Sequence, residues 1–394
     1  MDSNSKAKIL LVDDNPSNLQ VLGTLLKKLN FQVEFALDGL EALNWVKKEI
    51  FDMILLDVEM PNLNGYEVCL ELKKNPETKE IPVIFVTVRD DIESTVKGFE
   101  VGAVDFISKP FNLNELRARI STQIELKRAS DILKKYSVEL ERKNNIIMES
   151  MNYAQHIQNH ILPEKELIKK NFAESFIIYR PKQIISGDFF WFKSIGNYKI
   201  FSVIDCTGHG VPGAIMSMIG FTAINDAIND NNILEPASIL NHIHSFFVKT
   251  LHKESSGGIE DGMEITMCVL NTETNKLQFA STNQKMFAYT NNDLQQYAGD
   301  HWSIGEYQFA FGGYTQKTID FNKNDCVYLF SDGFFDQFGA EKNKKYSLKR
   351  FREKVDSIKE LPMSEQYKIL INELENWQGE KDQIDDITVW GIRY

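Results

Sequence analysis

The first 125 residues alternate short apolar runs with amphipathic stretches, and this alternation restricts the fold more than any other feature of the sequence. Buried strands that are separated by helices typically form a doubly wound parallel sheet. We therefore predict a five-stranded α/β domain over residues 1–125. Its predicted strands are 8–14, 31–36, 51–57, 81–87 and 104–108.

Residues 112–162 contain no glycine and no proline. Apolar residues recur there at spacings of three and four, which is typical of a helix that can form a coiled coil, although the spacing is interrupted at 143–145. We predict a helical coiled-coil linker over residues 126–162 that pairs two copies of the chain into a homodimer; a single solvated helix is the alternative. The apolar positions are Leu133, Tyr136, Leu140, Ile147, Met151, Ala154 and Ile161.

The pattern changes in the last part of the chain, where strand-like runs and helical stretches are grouped and do not alternate strictly. Such grouping predicts an α+β layered domain, a β-sandwich with helices, over residues 163–394. The predicted helices cover about 213–230, 235–252, 346–357 and 363–377. The predicted strands are FIIYRP, YKIFSVIDC, EITMCVL, KLQFAS, KMFAYT, DCVYLFSDG and DITVWGI.

The net charge of −12 is shared evenly: residues 1–125 and 163–394 each carry −7, and the linker carries +2. Because neither domain is basic, we expect no nucleic-acid partner. No apolar run of about 18 residues occurs, so we expect no membrane span. The polar N-terminus is unlike a signal peptide, and the four cysteines form no CxxC pair. These features predict a cytoplasmic protein with reduced thiols.

Polar side chains stand where the predicted parallel strands end. Asp13 and Asp14 end the first strand, Asp57 and Thr87 end the third and fourth, and Lys109 follows the fifth. Ligands of such sheets bind beyond the carboxyl ends of the strands. Three carboxylates form an oxygen cage that suits Mg²⁺, and Asp57 could accept a phosphoryl group whose charge the metal and Lys109 neutralise. Any one such Asp or Thr alone is commonly a helix cap.

With these residues and Pro110, residues 6–125 resemble the response-regulator receiver domain. The resemblance implies that a sensor histidine kinase or a phosphotransfer protein phosphorylates Asp57. It also implies a cis peptide bond at Lys109–Pro110 and a repositioning of Thr87 and Phe106 on phosphorylation. Phe106 stands where receivers commonly have tyrosine, so the hydrogen-bonding part of that switch is absent.

Five acidic segments distinguish the C-terminal domain, and most of them lie at strand ends or beside glycine, where backbone can approach a ligand closely. Many aspartates and few histidines favour Mg²⁺ or Mn²⁺ over zinc. Two such ions held by shared carboxylates can promote an in-line phosphoryl displacement by water. Each Asp-Gly pair alone is more simply explained as a turn, so only the five segments together indicate a metal site. The segments are SGDFFW, DCTGHGVPGA, DGMEIT, SDGFFD and DDITVW.

In order and spacing, residues 150–394 resemble the metal-dependent phosphatases of the protein phosphatase 2C superfamily, in the bacterial sporulation stage II E branch. The segments NYAQHIQNHILP and YRPKQIISGDFFWF extend the similarity. The resemblance implies two Mn²⁺ or Mg²⁺ ions bridged by Asp205, and Asp332 and Asp385 complete one of them. It further implies the Cys206 carbonyl as a ligand, and Asp188 as a ligand directly or through water.

At other positions the resemblance leaves two interpretations open, or the sequence departs from the family's pattern. Asp386 stands where the superfamily often has asparagine, so Asp385 is predicted to be the better ligand. His209 is interpreted either as an aid to leaving-group protonation or as packing in a glycine-flanked loop. Asn283 and Lys285 replace part of a glycine-histidine-asparagine-proline run, and His301 stands where a basic Lys or Arg is common.

His242 and His244 form an HxH pair, but no third ligand is spaced to join them, so both are predicted to lie on a helix surface. We therefore predict a two-component response regulator whose output is a metal-dependent serine/threonine phosphoprotein phosphatase. The resemblance implies a small phosphorylated anti-sigma-factor antagonist as its substrate. The alternative is a scaffold of a partner-switching pathway that binds a phosphoprotein without hydrolysing it.

Overall fold

The computed structural model describes residues 6–88, 92–251, 261–305, 312–340 and 343–394. The chain divides into two units, Met1–Asn144 and Asn145–Tyr394. One long helix, described below, begins in the first unit and ends in the second.

A parallel sheet organises the first unit, in the strand order β2-β1-β3-β4-β5. Both faces of the sheet are buried: Leu10 and Val12 point into one apolar core, and Ile9 and Leu11 into the other. This confirms the predicted doubly wound sheet, with strands slightly shorter than predicted. The strands are β1 (Lys8–Val12), β2 (Gln32–Ala36), β3 (Met53–Asp57), β4 (Val83–Thr87) and β5 (Asp105–Ser108).

The helices of this unit begin at side chains that cap their free N–H groups. Asn15, Asp38 and Asn64 each accept a hydrogen bond from the first turn of the following helix. The helices are α1 (Pro16–Lys28), α2 (Gly39–Lys48), α3 (Gly65–Lys74) and α4 (Ile92–Glu100).

Helix α5 (Leu113–Ile161) is 49 residues long, as expected for a segment without glycine or proline. Near its start, Leu116, Ile120 and Ile124 are buried in one apolar core of the receiver sheet. The interruption of the apolar spacing at 143–145 lies within this helix and does not break it. Most apolar side chains between 126 and 157 are exposed.

Two antiparallel sheets organise the second unit, with strand orders β13-β10-β9-β8-β7 and β12-β11-β14-β15-β6. The strands are β6 (Glu174–Arg180), β7 (Phe189–Ile195), β8 (Tyr198–Cys206), β9 (Met263–Asn271), β10 (Lys276–Ser281), β11 (Lys285–Thr290), β12 (Asp293–Ala298), β13 (Lys317–Asp320), β14 (Cys326–Phe330) and β15 (Ile387–Arg393). The helices are α6 (Lys165–Asn171), α7 (Gly210–Asn225), α8 (Pro236–Leu251), α9 (Gly333–Asp336), α10 (Leu348–Ile358) and α11 (Met363–Gln378); a π-helical turn (Asp226–Asp230) continues α7.

The two sheets pack face to face, with helices on both outer faces. Between the sheets, the rings of Phe190 and Phe201 lie edge-on against Trp390, with centroids 5.8 and 5.9 Å away. Alternate residues of β8 point to opposite sides: Phe201 and Val203 into the core between the sheets, and Ile204 into the core beneath α7 and α8. Helices α10 and α11 cover the other sheet. The predicted layered sandwich is therefore confirmed as four layers.

Three strands of this unit were not among the predicted ones. Strand β7 lies in the segment FFWFKSI, which drew attention only for its acidic neighbour. Strands β12 and β13 are outermost strands with mostly exposed polar residues, so they lack the apolar alternation that marks a strand.

One helical stretch among the described residues, Gly210–Asp230, is long and apolar enough to cross a membrane by length and composition alone. By those two criteria alone, this helix is a candidate against the prediction that the chain has no membrane span. The same stretch contributes Met216, Ala223 and Ile228 to the core beneath one sheet, and the core helix of a globular domain passes the same test.

Candidate functional site

Three aspartates meet at the carboxyl edge of the parallel sheet. The carboxylates of Asp13, Asp14 and Asp57 each offer an oxygen within 4.8 Å of the others. Nζ of Lys109 donates to Oδ2 of Asp13 and to Oδ2 of Asp57, at 2.8 Å each. The structure thus brings together four of the predicted receiver residues. A cluster of hard oxygen donors fits a divalent cation such as Mg²⁺.

The charges in this cluster affect one another. Burial raises the pKa of Asp57 to about 6, and repulsion from Asp13 adds to that shift while Lys109 opposes it. Burial also acts on Asp13, but hydrogen bonds from Lys109 and Asn18 outweigh it and lower its pKa. Lys109 is likewise desolvated, yet its two carboxylate partners raise its pKa, so it remains a cation between them.

The predicted switch residues lie on neighbouring strands. Thr87 ends β4 and pairs with Ser108 of β5. The ring of Phe106 is half-buried and packs against Phe85 and Phe99, with centroids 5.7 and 5.0 Å away. The Lys109–Pro110 peptide bond is cis, as the resemblance implied.

In the second unit, the predicted carboxylates come from both sheets and meet at one end of the sandwich. Asp188 precedes β7, Asp205 lies at the end of β8, and Asp385 precedes β15. Asp332 follows β14, at the end where that strand pairs with the start of β15. Asp188 is buried, Asp205 and Asp385 are half-buried and Asp332 is exposed, so the cluster opens to solvent.

These carboxylates destabilise one another's charged forms. Burial raises the pKa of Asp188 to about 8, and Asp386 and Asp385 add to the shift. Burial, followed by repulsion from Asp188 and Asp332, holds the pKa of Asp205 well above its usual range. Desolvation and repulsion from Asp385 raise the pKa of Asp332 to about 6. Hard oxygen donors that repel one another in this way fit divalent cations, which neutralise them.

The two adjacent aspartates before β15 have different environments. Asp386 is buried and accepts backbone N–H bonds from Lys182 at 2.7 Å and Gly187 at 2.6 Å, so its two oxygens hold a loop. Asp385 is half-buried, and one of its oxygens accepts the N–H of Asp386 at 2.8 Å. This difference supports the prediction that Asp385 is the better ligand.

The loop that leads to Asp188 touches the end of β8 and the loop that follows it, backbone against backbone. A Cβ at Gly187 would lie 2.5 Å from the carbonyl oxygen of Gly208 and 3.1 Å from that of Cys206. Only glycine therefore allows this approach. It brings the carbonyl of Cys206, which the resemblance implies as a ligand, next to the Asp188 loop.

Comparisons with known proteins identify the family of each unit. Residues 9–121 match the model of the response regulator receiver domain. Residues 196–394, half of the chain, match the model of stage II sporulation protein E (SpoIIE). This chain belongs to the SpoIIE family.

A solved structure shares the fold of the SpoIIE-family unit. The SiaA-PP2C domain of Pseudomonas aeruginosa is 28% identical, with a TM-score of 0.58; the match covers 64% of this chain and 98% of that one. The second unit is therefore a PP2C-like phosphatase domain, as predicted.

Curated relatives match the receiver part. A protein described as "Probable cyclic di-GMP phosphodiesterase" from Vibrio cholerae is 39% identical over 34% of this chain and 30% of its own length. The response regulator PleD of Caulobacter vibrioides is 38% identical over 32% of this chain and 28% of its own length. The chain thus spans less than a third of the length of these two relatives.

The remaining predicted residues of the SpoIIE-family domain lie in loops or at the start of a strand. His209 is exposed at the N-terminus of α7 and makes no capping hydrogen bond there. Nδ2 of Asn283 donates to Oγ of Ser303 at 3.0 Å. Lys285 begins β11, and the side chain of His301 is exposed.

The prediction that both residues of the HxH pair lie on a helix surface was wrong for His244. Its ring is buried, 8% exposed, and packs against Tyr314 at a centroid distance of 6.1 Å. His242 is half-buried and pairs with Asp226 of the π-helical turn. Helical periodicity does not show which face of α8 the sheet covers, so the pattern alone could not separate the two.

Two polar residues near the carboxylates were not predicted to matter. Glu264 lies in an acidic segment that was noticed, and pairing of β8 with β9 places it opposite Asp205. Gln158 lies in the segment NYAQHIQNHILP, which carried the family resemblance, yet a single glutamine on a helix gives no sign of its partners. Its hydrogen bonds to the Asp188 loop are described below.

Proposed function

We propose that this protein is a two-component response regulator in which phosphorylation of Asp57 controls a metal-dependent serine/threonine phosphatase. One observation carries the proposal: the carboxylates of Asp188, Asp205, Asp332 and Asp385 converge from two sheets and repel one another. Bound cations would offset the cost of such an arrangement, and the SpoIIE-family fold around it supports phosphatase chemistry.

The carboxylates of Asp205, Asp332 and Asp385 would hold two Mn²⁺ or Mg²⁺ ions, together with the Cys206 carbonyl and Asp188. Such ions supply an activated water and neutralise charge on phosphoryl oxygens. The chain itself contributes rigidity: Oγ of Ser331 donates to Asp188, and the N–H of Thr388 in turn donates to that Oγ at 3.0 Å. Asp188 is thereby held in one orientation on the sandwich.

In the receiver, Asp57 would act as the phosphoryl acceptor, with Mg²⁺ held by Asp13, Asp14 and Asp57. Lys109 already contacts the acceptor carboxylate, so it can neutralise the charge that the phosphoryl group adds. We propose a sensor histidine kinase or a phosphotransfer protein as the donor, in the cytoplasm. Thr87 and Phe106 would reposition when the phosphoryl group arrives.

The proposed substrate is a protein phosphorylated on serine or threonine, and an anti-sigma-factor antagonist is the specific candidate. This part depends on membership of the SpoIIE family. The acidic second unit gives no reason to expect a nucleic-acid substrate.

We further propose a homodimer that forms through α5. Its exposed apolar side chains support this, because Leu133, Tyr136, Leu140 and Ile147 are 56 to 70% exposed. Covering them against a second copy would remove apolar surface from water, as in a coiled coil. Phosphorylation of Asp57 would then raise the phosphatase rate by shifting the population of α5 conformations.

The test is hydrolysis of p-nitrophenyl phosphate and of a phosphoserine protein, with Mn²⁺, Mg²⁺ or EDTA. We expect activity only with a divalent ion, and a loss of roughly two orders of magnitude or more in Asp205→Asn. Asp320→Asn is the matched control, because Asp320 is exposed on β13 and pairs with Lys276. Binding of the phosphoprotein without hydrolysis in the wild type would favour the scaffold alternative.

A further inference from the structure

The side chain of Gln158, near the end of α5, is buried and fully hydrogen-bonded. It is 2% exposed. Its Nε2 donates to the carbonyl oxygen of Ser186 at 2.6 Å and to Oγ of Ser217 at 3.0 Å. Its Oε1 accepts the N–H of Ser186 at 3.1 Å. One amide therefore joins α5 to two segments that are distant in sequence.

The first of these segments is the loop that leads to Asp188. Ser186 lies two residues before Asp188, and Gln158 binds both its N–H and its carbonyl. On the other side of the loop, the carboxylate of Asp386 accepts the N–H of Gly187 at 2.6 Å. The loop is thus held from two sides, by α5 and by the residue before β15.

The second segment is α7, which begins at Gly210, after the short loop that follows Asp205 and Cys206 at the end of β8. Ser217 in this helix is 1% exposed; its Oγ accepts from Gln158 and donates to the carbonyl of Ala214 at 2.8 Å. Gln158 consequently contacts the elements on both sides of the carboxylate cluster.

The two loops cannot move independently of each other. The α-carbon of Gly187 lies so close to the loop that follows β8 that an added Cβ would be 2.5 Å from the carbonyl oxygen of Gly208. A displacement of Ser186 would therefore either press Gly187 against that loop or move Gly187 away from it. Either movement would change the separation of Asp188 from Asp205.

We propose that Gln158 is a positioning residue that sets this separation, and that α5 acts on divalent-ion binding through it. The proposal rests on the proposed phosphatase function, because it assumes that ions bind at these carboxylates. Groups that fix the orientation of ligands commonly alter metal affinity when they are removed, and Gln158 would act in this way through the backbone of Ser186, two residues before Asp188. A purely structural glutamine would affect folding and leave ion binding unchanged.

The test compares Gln158→Leu with Gln155→Leu in the full-length protein. Gln155 lies three residues earlier in α5, is half-buried, and is not a partner of Ser186 or Ser217. Mn²⁺ binding is measured by calorimetry, and Asp205→Asn identifies the heat that comes from the receiver. We expect Gln158→Leu to weaken binding at the phosphatase site by about tenfold or more. Gln155→Leu should stay within about twofold of the wild type.

A second variant tests the hydrogen bonds directly. Gln158→Glu keeps the shape, but its ionised carboxylate cannot donate to the Ser186 carbonyl, whereas its protonated form can. The ratio of variant to wild-type Mn²⁺ affinity should therefore rise as the pH falls from 8 to 6. The turnover number at saturating Mn²⁺ should change less than the Mn²⁺ concentration needed for half-maximal activity.

Wild-type Mn²⁺ affinity in folded Gln158→Leu would overturn the proposal. If that variant does not fold, Ser217→Ala removes one of the three bonds and should weaken Mn²⁺ binding several-fold; unchanged binding would overturn the proposal equally. A wild-type protein that binds Mn²⁺ at this site but hydrolyses no phosphorylated substrate would contradict the proposed phosphatase function. The positioning role of Gln158 in ion binding would not be affected by that result. Wild-type protein without Mn²⁺ binding beyond the receiver would overturn both.

Discussion

Asp205 and Glu264 lie directly opposite each other on β8 and β9. Like charges in this cross-strand position repel, and burial raises the pKa of both carboxyls. Glu264 also raises the pKa of Asp332, so the pair is part of the same electrostatic cluster. We therefore expect the cluster to lower the stability of the metal-free protein as the pH rises, and we expect bound cations to offset that loss.

The first prediction concerns Asp188→Asn in protein stripped of metal by EDTA. Burial raises the pKa of Asp188 to about 8, so the folded state binds its proton more tightly than the unfolded state does. Stability is therefore lost as the pH rises from about 4 to about 8. The neutral amide removes this loss, so we expect it to raise the free energy of unfolding of the second unit at pH 8 by up to about 5 kcal/mol, as measured by urea unfolding.

The pH dependence itself provides the control for that prediction. At pH 4 the carboxyl is protonated in the folded state and lies near its usual pKa in the unfolded state, so the variant and the wild type should differ in stability far less than at pH 8. With saturating Mn²⁺ at pH 8, the wild type should become the more stable protein, because only it keeps this ligand. A variant that is destabilised at pH 8 in EDTA would contradict the prediction.

The second prediction concerns the contact between the two loops. In Gly187→Ala the new Cβ would lie 2.5 Å from the backbone carbonyl of Gly208, so one loop must move. We expect a loss of about 1 to 3 kcal/mol in stability and clearly weaker Mn²⁺ binding. Gly312→Ala is the matched control, because among the described residues no atom beyond its own chain neighbours lies within 4 Å of its added Cβ. Equal Mn²⁺ affinity in the two variants would show that the contact is not needed.

The third prediction concerns the receiver. Acetyl phosphate with Mg²⁺ should label the wild-type protein on Asp57, and Asp57→Ala should abolish the label, which is measured by intact-protein mass spectrometry. Asp131→Ala is the control, since the exposed side chain of Asp131 lies on α5 and pairs with Lys127 of the same helix. Labelling that persists in Asp57→Ala would assign the acceptor to another residue.

The fourth prediction concerns α5. Proline at Leu140 or Ile147 removes a backbone hydrogen bond and costs about 3 kcal/mol or more of helix stability. We expect both variants to lose the dimer in light scattering and the response of the phosphatase rate to beryllofluoride. Leu140→Ala keeps the helix and should retain more of the response. A wild-type protein that is monomeric at micromolar concentration and indifferent to beryllofluoride would refute the coupling.

Much of the first unit could be predicted because its topology is simple. In a parallel sheet all strands run in one direction, so every strand-terminal residue lies at the same edge. Asp57 and Lys109 could therefore be placed together from the order of apolar runs alone. The helix α5 was equally accessible, since the absence of glycine and proline is a local property.

The sandwich depends on information that no local pattern contains. Local patterns alone placed Asp205 near the end of one strand and Asp385 and Asp386 at the start of another. Only the tertiary structure decided that Asp386 holds the Asp188 loop, that His244 is buried, and that Gln158 binds that loop from α5. The physical reason is that strand and helix periods are set by neighbours in the chain, whereas these partners are 28 to 199 residues apart and meet only when the layers pack.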